Sequence, residues 1–309
     1  MSRRVLDVRG TDARVDIGGN VVALSNLDKP FWPALGLTKR DLLEHYAGVA
    51  ELLLPHLRDR AMVMKRYPNG WRGDHFFMKR TPEHAPEWIE RCRIEHASGN
   101  VIDFPMVQDA ATLLWVVNLG CIDLNPWYSR CDDVDRPDVL HFDLDPVDGT
   151  PFSRVREAAL VVRDTLGALG MPVFVKTSGG SGMHVYVPIV RGPTQKNVWR
   201  FAKATAQLLA ERHPRLLTAA YRIADRPRGR VLVDYNQNAW GRTLASIYSV
   251  RPNAYAGVST PVEWAEVEAG VEPEDFTIRD VPDRLARTGD LWRPLVWPKR
   301  GRFDLDAVL

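Results

Sequence analysis

Three aspartates on two short apolar runs are the residues of this chain best suited to chemistry. In Val139-Leu140-His141-Phe142-Asp143-Leu144-Asp145-Pro146, a period of two puts His141, Asp143 and Asp145 on one face of a strand and Leu140, Phe142 and Leu144 on the other. One face can pack, and the other presents two carboxylates side by side. Such a pair repels unless positive charge sits between its members, and a divalent cation is the usual remedy. Pro146 ends the strand and leaves the acids at a sheet end. Arg230-Val231-Leu232-Val233-Asp234 brings a third carboxylate to a strand end. Three acids on neighbouring strand ends can hold two metal ions about 3.5 to 4 Å apart, which stabilises attacking and leaving oxygens in phosphoryl transfer. The plainer readings are an acid pair that caps a turn and, for Asp234, an ion pair with the arginines before it. Phe303-Asp304-Leu305-Asp306 repeats the Asp-x-Asp pattern after the basic, turn-prone Trp297-Pro298-Lys299-Arg300-Gly301-Arg302, and is expected to be solvated surface.

Three further clusters bear on the acids. Ser178-Gly179-Gly180-Ser181-Gly182-Met183-His184 combines glycines that let backbone N–H groups approach an anion with serine donors and a histidine that starts a strand on the same face as Tyr186. That set suits a triphosphate, although a flexible turn and a packed histidine would look the same. Lys65-Arg66 and Phe76-Phe77-Met78-Lys79-Arg80 pair cations with adjacent rings. Neighbouring strand residues face opposite ways, so at least one ring lacks a core to enter, and an exposed ring beside a cation is what base stacking requires. A half-buried strand with a solvated end is the alternative. Arg222, Arg226, Arg228 and Arg230 form a second basic run before Asp234, of the kind that is usually a solvated face.

The elements that must position these residues alternate. Thr38-Lys39-Arg40-Asp41 reads as a helix cap before Leu42, Tyr46, Val49 and Leu53, with Pro55 ending the run. Strands are expected at 61–66 and 75–79, then a helix from Asp109 and a strand from Cys121. The acid strand leads into a helix capped by Ser153 and closed by Gly170. Strands at 173–176 and 183–187 flank the glycine loop, a helix runs from Thr194 to about 211, and 230–234 is a strand. The fold class is α/β or α+β, with a boundary near Arg136-Pro137 that separates a mixed part, 1–136, from a part built on the acid strand, 137–309. Cys92, Cys121 and Cys131 form no Cys-x-x-Cys pair, the spacing that a zinc site favours. The chain has 309 residues, 45% of them hydrophobic, ample for a core. With 41 Lys+Arg against 39 Asp+Glu the net charge is only +2, so any nucleic-acid surface must be local. Met1-Ser2-Arg3-Arg4-Val5-Leu6-Asp7 has no signal-peptide core and no run of roughly 18 apolar residues occurs. A cytoplasmic, nucleoid-associated protein without a membrane partner is expected.

Together these residues resemble the polymerase domain of bacterial ligase D, a branch of the archaeo-eukaryotic primase superfamily. The resemblance runs from Leu24-Ser25-Asn26-Leu27-Asp28-Lys29 to about Trp264. It implies a primase-like fold of mixed sheets flanked by helices, with an RRM-like catalytic part. It also implies two Mn²⁺ or Mg²⁺ ions on Asp143, Asp145 and Asp234, and nucleotide contacts from Lys65, Arg66, Ser178, Ser181, His184, Gln237, Arg251 and an arginine at 226 or 228. Lys29 and Lys39 match the pair that receives a 5′-phosphate on the downstream strand, and Asn26 is a further expected DNA contact. Phe76, Phe77 and the adjacent Lys79 match the template contact. Implied partners are gapped or broken DNA, NTPs or dNTPs, Ku and a separate DNA ligase, with the protein a monomer. The chain departs from the family at Asn125-Pro126-Trp127, where a histidine is common, and at Ser181, where many relatives carry lysine. The form expected is the stand-alone polymerase, with no ligase or nuclease sequence attached.

The activity expected is template-dependent nucleotidyl transfer. Two alternatives stand beside it. A haloacid-dehalogenase-type phosphatase would use Asp143 as nucleophile, but needs a late acidic pair that Asp234 lacks. A non-catalytic DNA-end-binding module would keep only Lys29, Lys39 and the aromatic pair.

Overall fold

The computed structural model describes residues 5–6, 8–297 and 301–309. Residues 1–4 and 7 of the N-terminal stretch, and Pro298, Lys299 and Arg300 of the basic tail, lie outside the described residues. The chain forms two units, one of Met1–Trp127, Ala245–Val258 and Phe276–Gly289, the other of Tyr128–Leu244, Ser259–Asp275 and Asp290–Leu309. No helix among the described residues is long and apolar enough to cross a membrane.

In the second unit the order is strand Val139–Pro146, helix Phe152–Gly167, strands Phe174–Thr177 and Met183–Pro188, helix Gln195–Arg212, and strand Val231–Asp234. This β-α-β-β-α-β order is the split-βαβ arrangement. The sheet is six-stranded, with Val139–Pro146 between Val231–Asp234 and Met183–Pro188, and Phe174–Thr177 beyond the latter. Leu217–Thr218 and Pro261–Val262 are its edges, the first paired in parallel and every other neighbour antiparallel. Leu140, Phe142 and Leu144 are fully buried. Val231–Asp234 covers the acid strand only from Asp143 to Pro146. At His141 the side chain of Asn238 takes over, its Oδ1 accepting from His141 N at 3.2 Å and its Nδ2 donating to His141 O at 2.7 Å.

The helix Phe152–Gly167 starts after Pro151, two residues before the Ser153 cap expected, because proline fixes φ at −72° and suits the entry to a helix. It ends at Gly167, with Gly170 in the turn beyond it. Thr194 caps the next helix as expected, its side chain accepting from Asn197 N.

The first unit is built on helix Lys39–Leu57. Asp41 accepts hydrogen bonds from both the N–H and the hydroxyl of Thr38, fixing the first turn. The helix does not stop at Pro55 as its sequence suggests. It continues to Leu57, because Leu53 and Leu57 are fully buried and the Arg58 N–H still reaches Leu54 O at 3.0 Å. Helix Ala110–Asn118, begun by Asp109, packs against it. A three-stranded sheet sets Met62–Arg66 between Phe76–Met78 and Cys121–Pro126. Tyr46 ties the long helix to that sheet by donating to Ile122 O at 2.6 Å.

Candidate functional site

In the second unit the ladder registers set one row of side chains across four strands. Asp234 stands opposite Asp143, Asp143 opposite His184, and His184 opposite Lys176. Directly paired residues share a face, so the four side chains project together, with Asp145 two residues along from Asp143. Asp143 and His184 are buried, and Lys176 is wholly so. His184 Nε2 lies 3.2 Å from Asp143 Oδ1, in electrostatic contact but without the alignment of a hydrogen bond. On its other side, His184 Nδ1 is 2.7 Å from Lys176 Nζ, which also donates to Ser259 Oγ. Below the row, His141 stacks on Tyr128 at 3.8 Å, and the Tyr128 and Tyr186 hydroxyls meet at 2.7 Å. Burial pushes the His141 imidazole down to about 3, so it is neutral and acts as packing.

The glycine loop is organised from within. Ser178 Oγ accepts from the N–H groups of Gly180 and Gly182 at 3.1 and 3.0 Å, and Ser178 N donates to Gly182 O. Those two N–H groups therefore shape the loop and are not left pointing at an anion, contrary to the expectation for a phosphate cradle. Gly182 is required by close approach, since a Cβ there would sit 2.6 Å from Leu144 O and 3.1 Å from Asp145 Oδ1. The loop thus rests directly on the acid strand. Ser181 is exposed at its tip.

Asp234 is held by its own chain, Oδ1 accepting from Asn236 N at 2.8 Å and Oδ2 from Gln237 Nε2 at 2.9 Å. Among the described residues no arginine forms an ion pair with Asp234: Arg226 donates to Ala220 O and Tyr221 O of its own loop, and Arg222 and Arg228 are exposed. Three carboxylates sharing a face, two of them opposed across a ladder, offer only hard oxygen donors and need a cation to offset their repulsion. By that chemistry the set fits a divalent ion such as Mg²⁺ or Mn²⁺. No group of three or more His, Cys, Asp or Glu among the described residues is drawn together closely enough to hold one in the present arrangement. Coordination by Asp234 would compete with its bonds to Asn236 and Gln237. Asp304 and Asp306 of the duplicate motif are exposed, but the segment is not all solvated surface as expected: Leu305 is fully buried and Phe303 N donates to Pro188 O at 2.9 Å.

In the first unit two lysines, Lys29 and Lys39, are linked through backbone and turn contacts. Lys39 N donates to Lys29 O at 2.9 Å, Lys39 Nζ to Ser25 O at 2.7 Å, and Lys29 Nζ to Asn69 Oδ1 at 2.8 Å. Gly70 lets the Asn69 turn close on its neighbour, since a Cβ there would lie 2.9 Å from Phe31 O. Asn26 shapes the approach with a left-handed φ of 54° and its carbonyl accepting from Lys29 N. Burial, helped by the Lys29 and Arg66 charges and opposed by Asp12, pushes Lys39 down to about 8. Lys39 is also the first residue of the long helix, whose positive end favours an anion.

The other basic cluster of this unit is a second cross-strand set. Lys65 faces Phe77 and Arg66 faces Phe76, the cations lying 5.7 and 5.1 Å from the ring centroids. Both rings are exposed, at 46% for Phe76 and 61% for Phe77, so neither found a core. Lys79 is exposed just past the strand. On the other side Lys65 faces Asp123, a buried acid 3.7 Å from Arg251 Nε. Burial pushes the Asp123 carboxyl up, and the Arg251 and Lys65 charges offset part of that.

Lys176 and Asp123 are the residues that the sequence motifs did not single out. Both were legible in principle. Counting outward from the hairpin tip puts Lys176 opposite His184, and Asp123 interrupts the apolar run Cys121-Ile122-Asp123-Leu124.

Residues 38–292 match the family model described as the LigD primase-polymerase domain. The multifunctional non-homologous end joining DNA repair protein LigD of Mycobacterium tuberculosis is 34% identical over 93% of this chain and 37% of its own length. The multifunctional LigD of Pseudomonas aeruginosa is 32% identical over 85% of this chain and 31% of its own length, and the bifunctional LigD of Bacillus subtilis 29% identical over 86% and 42%. The chain therefore spans less than half the length of each of these relatives. Among solved structures, the polymerase domain of Mycobacterium tuberculosis ligase D in complex with DNA matches with a TM-score of 0.83 and 32% identity. That match covers 89% of this chain and 98% of that one.

Proposed function

Because the chain belongs to the LigD primase-polymerase family, we propose that it is a template-dependent nucleotidyltransferase that adds NTPs or dNTPs to a primer 3′-OH at gapped or broken DNA. The observation that carries this reading is the row Asp234, Asp143 and His184, with Asp145 beside it, on one face of the sheet. The primer 3′-OH gives up its proton to solvent, its oxygen forms a new bond to the α-phosphorus, and the bond from that phosphorus to the bridging α–β oxygen breaks, releasing pyrophosphate. Asp143, Asp145 and Asp234 would hold the divalent ions, Mn²⁺ or Mg²⁺, which when bound would favour the ionised primer hydroxyl and offset the charge of the triphosphate. His184, Ser178 and Gln237 orient the phosphates, and Lys65, Arg66 and Arg251 supply further positive charge toward the nucleotide. Ser181 and the two arginines at 226 and 228 are outer contacts, since one is exposed and the others are committed to, or lie in, an exposed loop.

Lys29 and Lys39, at the start of a helix, receive a downstream 5′-phosphate, with Asn26 setting the turn. Phe76 and Phe77 stack on the template, with Lys79 on its backbone. The family relatives are named for non-homologous end joining, and the same repair setting, with Ku and a ligase as partners, is the one we assign to this chain.

The test is primer extension on a short gap, with and without a 5′-phosphate, with NTPs and dNTPs in Mn²⁺ and in Mg²⁺. Asp143→Ala and Asp145→Ala should abolish incorporation, and undiminished extension by either would sink the proposal. Phosphate-dependent DNA binding with no incorporation under any metal would point instead to an end-binding module. An aspartyl-phosphate trapped at Asp143 would point to a phosphatase.

A further inference from the structure

We propose that Lys176 is a positioning residue that holds His184 in a single tautomer, with the proton on Nε2. Lys176 is 0% exposed, in the strand that precedes the glycine loop. A buried ammonium is costly unless hydrogen-bonded, and packing alone would be served better by methionine or leucine. Its hydrogen bond to Ser259 has a fixed direction. The Ser259 hydroxyl gives its own hydrogen to Thr177 O at 2.9 Å, so toward Lys176 it presents a lone pair. An ammonium carries donors and no acceptor. With Lys176 as the ammonium, His184 Nδ1, 2.7 Å from Lys176 Nζ, is the accepting nitrogen, and a neutral ring then carries its N–H at Nε2.

The register gives that choice its consequence. Because Lys176, His184 and Asp143 are successive partners across the sheet, fixing Nδ1 on the lysine side turns the Nε2–H to the acid side, where Asp143 Oδ1 is 3.2 Å away. The row thus delivers a neutral N–H donor, of defined direction, to the place where carboxylates and phosphate oxygens would meet. The tautomer follows from the hydrogen-bond geometry together with a charged Lys176. Only its use in orienting a triphosphate rests on the function proposed above.

The test needs no substrate. In the full chain with 15N-labelled histidine, long-range proton–nitrogen correlation spectra report which ring nitrogen is protonated, and the His184 signals are identified by their loss in His184→Gln. The wild type should show a protonated Nε2 and a bare Nδ1. In Lys176→Met the two tautomers should mix, with protonated Nδ1 appearing. A wild-type proton on Nδ1, or an unchanged pattern in folded Lys176→Met, overturns the proposal. If Lys176→Met does not fold, the wild-type spectrum decides. In primer extension the same variant should raise the nucleotide KM by about 10- to 100-fold, the range for losing a partner that orients a functional histidine, with a smaller change in kcat. Failure of all incorporation by the wild type would overturn the polymerase reading and leave the tautomer result standing.

Discussion

Lys39 is a lysine whose titration is brought closer to neutral pH by burial. Burial and the nearby Lys29 and Arg66 charges lower it to about 8, against the ordinary 10.5. Its attraction for a phosphate depends on the charged form, which is lost as pH rises through that value. The affinity gained from a 5′-phosphate on the downstream strand should therefore shrink several-fold between about pH 7 and about pH 9, although a bound phosphate will pull the midpoint upward. Titrating gapped DNA with and without the phosphate, by fluorescence anisotropy, measures the difference. A gain that stays constant over that range would show that Lys39 keeps its proton. Lys39→Ala should remove most of the gain and flatten the dependence of log affinity on log salt by about one phosphate contact. At this scale residue types were legible in the sequence. Asp143, Asp145, Asp234 and His184 were found because acids and glycine loops stand out in apolar runs. Lys176 was not, because a lysine beside a glycine turn looks solvated until the register buries it.

The elements carry two further tests. Gly182 lies where the loop after Phe174–Thr177 rests on the acid strand, and a Cβ would meet Leu144 O at 2.6 Å. Backbone on both sides cannot move far, so Gly182→Ala should destabilise by about 1–3 kcal/mol, the usual cost of overpacking. It should also displace Asp145, whose Oδ1 lies 3.1 Å from the same point. Denaturant melts together with extension rates measure both, and an alanine variant with wild-type stability and rate would show that the loop yields freely. The long helix offers a pH test. His45 is buried with Nε2 donating to Tyr248 O at 2.9 Å, and burial lowers it from 6.5 to about 4. The unfolded chain takes up the proton first as pH falls, so folding stability present above 6.5 is lost progressively down to about 4. The loss is on the order of 3 kcal/mol for this one group. A His45→Gln variant, even if less stable overall, should lose less on acidification in the same window. The strands and helices that hold the acids were predictable because their periods of two and 3.6 are strong. Pro55 misled because buried leucines on both sides carried the helix past it, and Pro151 because the cap was sought in a side chain when a fixed φ did the work.

For the whole molecule, the least legible feature is how often the chain returns. Ala245–Val258 and Phe276–Gly289 fold with Met1–Trp127, while Ser259–Asp275 and Asp290–Leu309 fold with Tyr128–Leu244. No local pattern marks these exchanges, because a segment that enters a distant core carries the same apolar residues as one that enters a near one. The partners are specific. In the first unit Tyr46 OH accepts from Val250 N at 3.0 Å, Ser249 Oγ accepts from Leu124 N at 2.9 Å, and Trp32 donates to Asn253 O at 2.8 Å. In the second, Trp292 donates to Val175 O at 3.2 Å and Thr260 O accepts from Thr177 N at 2.9 Å. A fragment ending at Trp127 would leave the first set of buried polar groups without partners, at roughly 1–3 kcal/mol for each such group. A fragment of 128–244 would likewise lose its Pro261–Val262 edge strand and the ring of Trp292. Neither fragment should fold cooperatively, whereas the full chain should. Near-ultraviolet circular dichroism and amide hydrogen exchange distinguish the cases: fixed aromatic signals and protected amides in the 1–127 fragment would mean that the returning segments decorate a core already complete. Adding 245–289 in trans should restore protection around Tyr46 and Leu124 if the returning segment completes that core.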